Sequence, residues 1–205
     1  MSKRSSEKTT AGPSPERREE LLATAAEVFT AQGYTATTVR RITDAVGMLA
    51  GSLCHHFDSK VSMLDEILST FLDVLGGRYE AVLASGLGPR ETTEALVTES
   101  FRGIGRSRAA VAIYQKEPRH LVNQPRFHYL ADARSRFEKA WLGTLERGVA
   151  AEVFRADLDV RLTYRFVRDT AWVAASWYRP GGRHGPEEIA RQYLSMVLEG
   201  IAVRA

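Results

Sequence analysis

Gly47 is the residue that most restricts what this chain can fold into. On its N-terminal side Val39, Ile42 and Val46 recur at helical spacing behind Thr38, a good N-cap, so Thr38–Val46 reads as a short helix with one face turned inward. On its C-terminal side Leu53 and Phe57 lie one turn apart within Ala50–Phe57 and point inward, leaving Gly51, Ser52, His55 and His56 on the outer face. A glycine between such patterns takes the left-handed conformation that closes one helix and turns the chain sharply. Helix, tight turn and helix over Thr37–Lys60 match the helix-turn-helix, whose second helix lies in the DNA major groove while the first crosses the backbone.

Helical spacing continues through the rest of the chain, with no strand pattern and no internal repeat. Residues 1–15 are rich in Ser, Thr, Lys and Pro and predict a disordered tail. A helix starts at Ser14–Pro15–Glu16 with an inner stripe of Leu21, Leu22, Ala25, Ala26 and Phe29, and Gly33 ends it. From Ser59 to about Ala84 a long helix buries Met63, Leu64, Ile67, Leu68, Phe71, Leu72 and Leu75, and the Gly76–Gly77 pair is expected to weaken it midway. Glu91–Ile104 reads as a helix, Arg106–Arg108 as a polar break, Ala109–Lys116 as a short helix, and Arg119–Pro125 as a loop or a second short helix. Phe127–Ala151, Asp157–Tyr178 and Pro186–Val203 supply the remaining helices, giving an all-α fold of about nine helices.

The segment GSLCHHFDSK, Gly51–Lys60, resembles the pattern G-x-[LI]-Y-x-[HY]-F-x-[SN]-K of the tetracycline-repressor (TetR) family. The resemblance extends back through Ala25–Phe29, Gly33, Thr37, Thr38 and Ile42. It implies a helix-turn-helix DNA-binding domain over residues 16–59 and a ligand-binding and dimerisation domain over 60–205. Cys54 stands where the family usually carries Tyr, a frequent phosphate contact, so that contact is lost or passes to a neighbour. As groove-facing donors, Ser52, His55 and His56 can meet phosphates or base edges beside Gly51, and Arg40 suits bidentate guanine readout. Thr38, Arg41 and Lys60 are expected on phosphates. No metal is expected at His55 and His56, because adjacent helical side chains diverge by about 100° and no further ligand sits at the right spacing.

Bulk charge does not identify a nucleic-acid binder: the net charge is +3, and the first sixty residues hold eight Lys and Arg against seven Asp and Glu. Any basic footprint must be local. A single cysteine excludes an intrachain disulfide framework and suits a reducing cytosol. With no charged-then-apolar leader and no apolar run near membrane-spanning length, a cytoplasmic protein is expected.

A second site is read from Asp157–Gly182. Drawn as a helix, Leu162, Phe166, Asp169, Val173 and Trp177 form one stripe, and Arg161, Arg165, Arg168 and Trp172 the next. Arg161 and Arg165 read as solvated. Arg168 and Trp172, one turn apart, could meet an anionic, partly aromatic ligand through guanidinium pairing and indole stacking. The segments QPRFHYL, YRFVRDTAWV and WYRPGG resemble an actinobacterial subgroup of the family that controls degradation of the last two steroid rings. That resemblance implies release from DNA by a coenzyme A thioester of a bicyclic steroid remnant, with Tyr114, Phe127, Trp141, Arg168 and Trp172 as the expected lining and no cofactor. Another hydrophobic effector, a drug or a fatty acyl-CoA, stays open.

Ile189, Tyr193, Met196, Val197 and Ile201 form an apolar stripe on the last helix, with Val173 and Trp177 as neighbours. In the family such helices pair with their copies in a homodimer, which sets two recognition helices one DNA turn apart on a palindromic operator. The rival class is an enzyme acting on a CoA thioester. The sequence lacks G-x-S-x-G, a P-loop, a dinucleotide fingerprint and H-E-x-x-H, and His120, His128 and His184 have no evident nucleophile beside them, so no catalytic residue is expected.

Overall fold

The structure, a computed structural model, describes residues 15–48, 53, 56–116, 121 and 124–201. The expectations for the N-terminal tail, for Gly51, Ser52, Cys54 and His55, and for most of 117–123 lie outside the described residues. Every regular element among the described residues is helical. The chain divides into two compact units, Met1–Leu64 and Asp65–Ala205, with the boundary inside a helix.

The first unit holds α1 (Pro15–Gln32), α2 (Val39–Val46) and the start of α3 (Lys60–Ala84). Between α2 and α3, the amides of His56 and Phe57 both bond to the Leu53 carbonyl. Leu21, Ala25, Phe29, Ile42, Leu53, Phe57, Met63 and Leu64 are buried and form the core of this unit. Its turns follow from local chemistry. Thr38 caps α2 by accepting from the Arg41 amide, Gly47 takes φ 68°, and the Met48 amide returns to Thr43 O at 2.9 Å. Val39 and Val46 are only half-buried, whereas Thr43 goes inside with its hydroxyl bonded to Arg40 O at 2.8 Å. A threonine that satisfies its own hydroxyl on the backbone can fill an apolar position.

Lys60, expected on phosphate, makes contacts within the unit. Its ammonium donates to Tyr34 O and Thr37 O, each at 2.8 Å, and lies 4.3 Å from the centre of the Tyr34 ring. The Tyr34 ring in turn meets Phe29 edge-on at 5.4 Å. Lys60 therefore fastens the link between α1 and α2 to the start of α3.

The second unit contains the rest of α3, then α4 (Pro89–Lys116), a 3-10 turn (Pro125–Phe127), α5 (Tyr129–Ala150), α6 (Val160–Trp172), α7 (Ala174–Trp177) and α8 (Pro186–Ile201). The apolar stripe expected on α3 is buried throughout and continues to Tyr79. The Gly76–Gly77 pair does not interrupt α3. Gly76 faces Phe137, whose ring a Cβ there would meet at 3.8 Å, so packing holds the helix where intrinsic propensity is poor. The polar break expected at Arg106–Arg108 is a kink: Ser107 has φ −139° and ψ 44° inside α4. α5 begins at Tyr129 instead of Phe127 because Pro125–Phe127 forms the 3-10 turn.

The expected helix Asp157–Tyr178 is shorter and broken at Val173. Asp159 caps α6 by accepting from the Leu162 amide at 2.9 Å, and the helix gives way at Val173. The stripe Leu162, Phe166, Val173 and Trp177 faces outward, with Phe166 62% exposed, while Tyr164, Val167, Ala171, Ala174 and Ala175 are buried. α8 behaves alike: Ala190, Leu194, Leu198 and Ile201 face the core, and Met196 is 68% exposed. Both helices carry two apolar faces, and helical spacing alone does not say which one a core will take.

At the end of α5 the Gly148 carbonyl accepts from the amides of Val153 and Phe154, with Glu152 in the left-handed region at φ 57°. This folds the fully buried Phe154 ring directly onto Gly148. A Cβ at Gly148 would stand 2.1 Å from Phe154 Cδ2. Gly148→Ala is therefore expected to destabilise the protein by about 1–3 kcal/mol through overpacking, seen as a lower thermal midpoint; an unchanged midpoint would mean the ring swings aside at no cost. Lys60→Met is expected to cost about 1–3 kcal/mol in the absence of DNA, measured by chemical denaturation. A residue that served only to touch phosphate would leave that stability untouched.

Candidate functional site

In the first unit, the side chains expected to read DNA fall into separate roles. Arg40 projects from α2 with 87% of its side chain exposed and only a 3.9 Å ion pair to Asp44. Arg41 turns back instead, donating to Gln32 Oε1 at 2.7 Å and to Ala36 O at 3.4 Å, which ties α2 to the end of α1. Thr38 stays exposed while capping α2. His56 is half-buried, and its Nδ1 is buried with no hydrogen-bond partner among the described residues, so any outward contact of the ring runs through Nε2. The His56 carbonyl accepts from Arg18, whose guanidinium lies 4.1 Å from the centre of the Phe57 ring. Arg18 was not singled out from the sequence, where it sits in a mixed-charge run that reads as solvated surface.

The second unit contains a cavity of about 670 Å³ bounded by α3, α4, α5 and α6. Its lining is graded. Tyr79, Leu130, Phe137, Trp141 and Tyr164 are buried, Tyr114, Arg168 and Trp172 are half-buried, and Gln115, Lys116, Ala131, Arg134, Asp169 and Val173 are exposed. Aromatic rings thus form the deep part, and cations gather toward the opening.

The rings make two clusters. Phe71, Tyr114 and Trp172 meet in a triangle, with Trp172 edge-on to Phe71 at 5.9 Å and 6.4 Å from Tyr114. Tyr79 meets Phe137 at 5.3 Å and Trp141 at 6.4 Å, and Trp141 meets Tyr164 at 6.4 Å. A chain of hydrogen bonds fixes the second cluster. Trp141 Nε1 donates to the Tyr79 hydroxyl at 3.4 Å, the hydroxyl pairs with Ser100 Oγ at 2.6 Å, and Ser100 donates to Leu96 O at 2.8 Å.

Burial pushes the Tyr79 phenol up to about 12, against the opposing hydrogen bonds of Ser100 and Trp141. Burial also raises Tyr114 and Tyr164, opposed by the positive charges of Arg134 and Arg168. All three remain neutral phenols at physiological pH. Arg168 donates through Nε to Asp169 Oδ1 at 2.7 Å and lies 5.4 Å from the centre of the Tyr164 ring. The bond to Asp169 raises the guanidinium further above its ordinary value, so its charge is permanent.

Of the five residues expected to line a ligand site, Tyr114, Trp141, Arg168 and Trp172 come together on this cavity. Phe127 does not; it is fully buried, with its ring 6.3 Å from that of Tyr129. Tyr79, Tyr164, Arg134 and Asp169 were not singled out. Tyr79 extends the inner stripe of α3 one turn past Leu75, which was a usable signal, but Arg134 reads as the solvated face of α5. Of the residues expected at a dimer contact, Trp177 and Met196 are exposed, whereas Ile189, Tyr193 and Val197 are half-buried. Tyr193 is tied within its own subunit, donating to Val167 O at 3.0 Å and pairing with Thr170 at 2.7 Å. Among the described residues no group of three metal-ligating side chains is gathered, and no helix is long and apolar enough to cross a membrane.

Comparison with known proteins accounts for both units. Residues 21–67 match the family of bacterial regulatory proteins described as the tetR family, and residues 86–201 match the tetracyclin repressor-like C-terminal domain. The chain is 56% identical over 186 residues to the HTH-type transcriptional repressor KstR2 of Rhodococcus jostii (strain RHA1), covering 91% of each chain. It is 47% identical over 191 residues to KstR2 of Mycobacterium tuberculosis (strain H37Rv), covering 93% of this chain and 96% of that one. The solved structure of the ketosteroid transcriptional regulator KstR2 of Mycobacterium tuberculosis superposes with a TM-score of 0.89 at 46% identity, over 95% of this chain and 99% of that one. With matched segments in both units and relatives that align along nearly its whole length, the chain belongs to the TetR family of bacterial regulatory proteins.

Proposed function

We propose that this regulator is a homodimeric repressor that holds palindromic operator DNA and releases it when a CoA thioester of a bicyclic steroid-ring catabolite fills the cavity of the second unit. Relatives that align along nearly their whole length are named transcriptional repressors, which supports a ligand-responsive transcriptional repressor and a regulator rather than an enzyme. The observation that carries the ligand class is the grading of the cavity. Lys116, Arg134 and Arg168 suit the phosphates of an amphiphilic anion, while Tyr79, Phe137, Trp141 and Trp172 suit a compact apolar ring system. The steroid character rests on likeness to KstR2, one solved form of which is described as a ketosteroid regulator.

The dimer reading is supported by the outward apolar face of α6, α7 and α8, where Leu162, Phe166, Val173, Trp177 and Met196 are all exposed on a single chain. Burying such a face against its copy removes apolar area from water and makes the contact self-complementary. In the first unit, the exposed Arg40 is the side chain best placed for base readout. Ligand acts by binding better to the state that does not grip DNA, which shifts the population away from it.

The test is a fluorescence-anisotropy titration of operator DNA from the region beside the protein's own gene, with and without CoA thioesters. Release by one bicyclic steroid-derived CoA thioester, but not by free CoA or straight-chain acyl-CoAs, is the expected result; binding that no thioester disturbs would discard the ligand. Arg168→Met and Trp172→Leu should each raise the thioester concentration for half-release by about tenfold or more, measured against each variant's own operator complex. Wild-type response in both would move the site elsewhere. Trp177→Asp should shift sedimentation velocity from dimer toward monomer, and an unchanged dimer would remove that face from the contact.

A further inference from the structure

Among the described residues lining the cavity, Asp169 alone is acidic, against Lys116, Arg134 and Arg168. It does more than dilute that positive charge. Arg168 and Asp169 are neighbours on α6, so their side chains leave the helix about 100° apart. Even so, the guanidinium bends round to place Nε 2.7 Å from Asp169 Oδ1. The Arg168 side chain is 29% exposed and that of Asp169 is 66% exposed, so the pair stands between the deep aromatic part and solvent. An anion entering here meets a guanidinium with its Nε edge already taken and a negative charge beside it.

Building on the CoA-thioester reading of this cavity, we propose that Asp169 is an internal counter-ion which the anionic part of the effector must outcompete for Arg168, and that it thereby sets the threshold of the sensor. With Asp169 in place, a weakly charged or singly charged amphiphile gains little from Arg168, because it exchanges one carboxylate partner for another. A ligand carrying several phosphate charges draws also on Lys116 and Arg134 and overcomes the competition. Charge-assisted bonds to a guanidinium are strong enough for one fewer competitor to be measurable. The pair is exposed, so solvent screening keeps the effect moderate.

The experiment is a direct titration of Trp fluorescence, with wild type and Asp169→Asn, using two probes built on one bicyclic steroid-derived acid: its CoA thioester and its pantetheine thioester, which carries no phosphate. The substitution keeps the shape of the side chain and removes its charge. The expected result is roughly three- to tenfold tighter binding of the CoA thioester by the variant, a gain that shrinks with added salt. The pantetheine thioester should bind both proteins alike. Equal gains for both probes, or no gain for the CoA thioester, would overturn the counter-ion role while leaving the effector reading intact. Failure of wild type and variant alike to bind the CoA thioester would overturn the effector reading, and this inference with it.

Discussion

The second unit depends on one buried phenol. The Tyr79 side chain is almost wholly enclosed, and a hydroxyl taken out of water must be paired or it costs the fold its full desolvation. It is paired on both sides, to Ser100 and to Trp141. Those partners sit on α4 and α5 while Tyr79 sits on α3, so a single chain of hydrogen bonds spaces three helices. Had the three positions been filled by apolar side chains of free choice, the helices could slide to close the gap between them. The relay fixes the Tyr79 hydroxyl against α4 and α5 at the inner end of the ring-lined cavity.

Part of this architecture was legible in the sequence because it is decided locally. Thr38 and Gly47 bracket α2 through capping chemistry that involves only their neighbours, and the buried stripe of α3 is a simple matter of helical spacing. Arg168 and Trp172 could be paired for the same reason, being one turn apart. The rest was hidden because it depends on contacts distant in sequence. Nothing in the spacing of α6 or α8 distinguishes the apolar face that meets the core from the one left outside; the buried face includes the small residues Ala171 on α6 and Ala190 on α8. Phe127 was assigned to the cavity by its type and is used as core. Tyr79 and Arg134 belong to the cavity only because α3 and α5 meet there.

The basic residues of the first unit teach a related lesson. Arg18, Arg41 and Lys60 all have carbonyl partners within the unit, and Arg18 and Lys60 also lie on aromatic rings. Cations near the starts of helices reach carbonyls of the adjoining links while two of them lie over aromatic rings. Counting positive charge near a helix-turn-helix therefore overstates how much of it is left for phosphate. What distinguishes Arg40 is its exposure: among the described residues it is held only by a distant partner one turn along the same helix.

The kink at Ser107 has a consequence for how the cavity wall opens. α4 carries Ser100, an anchor of the Tyr79 relay, before the kink, and Tyr114, Gln115 and Lys116 after it. A helix with an uninterrupted ladder unzips cooperatively, but non-helical torsions at one residue divide the ladder into separate units of local opening. Amides of 109–116 can then exchange with solvent through an excursion that leaves the first half of α4 protected. The half of α4 that carries Tyr114, Gln115 and Lys116 is thus set apart in torsion from the half that anchors the relay, and opening it also exposes the buried Ala109, Ala110, Val111, Ala112 and Ile113, an apolar cost that keeps such excursions rare.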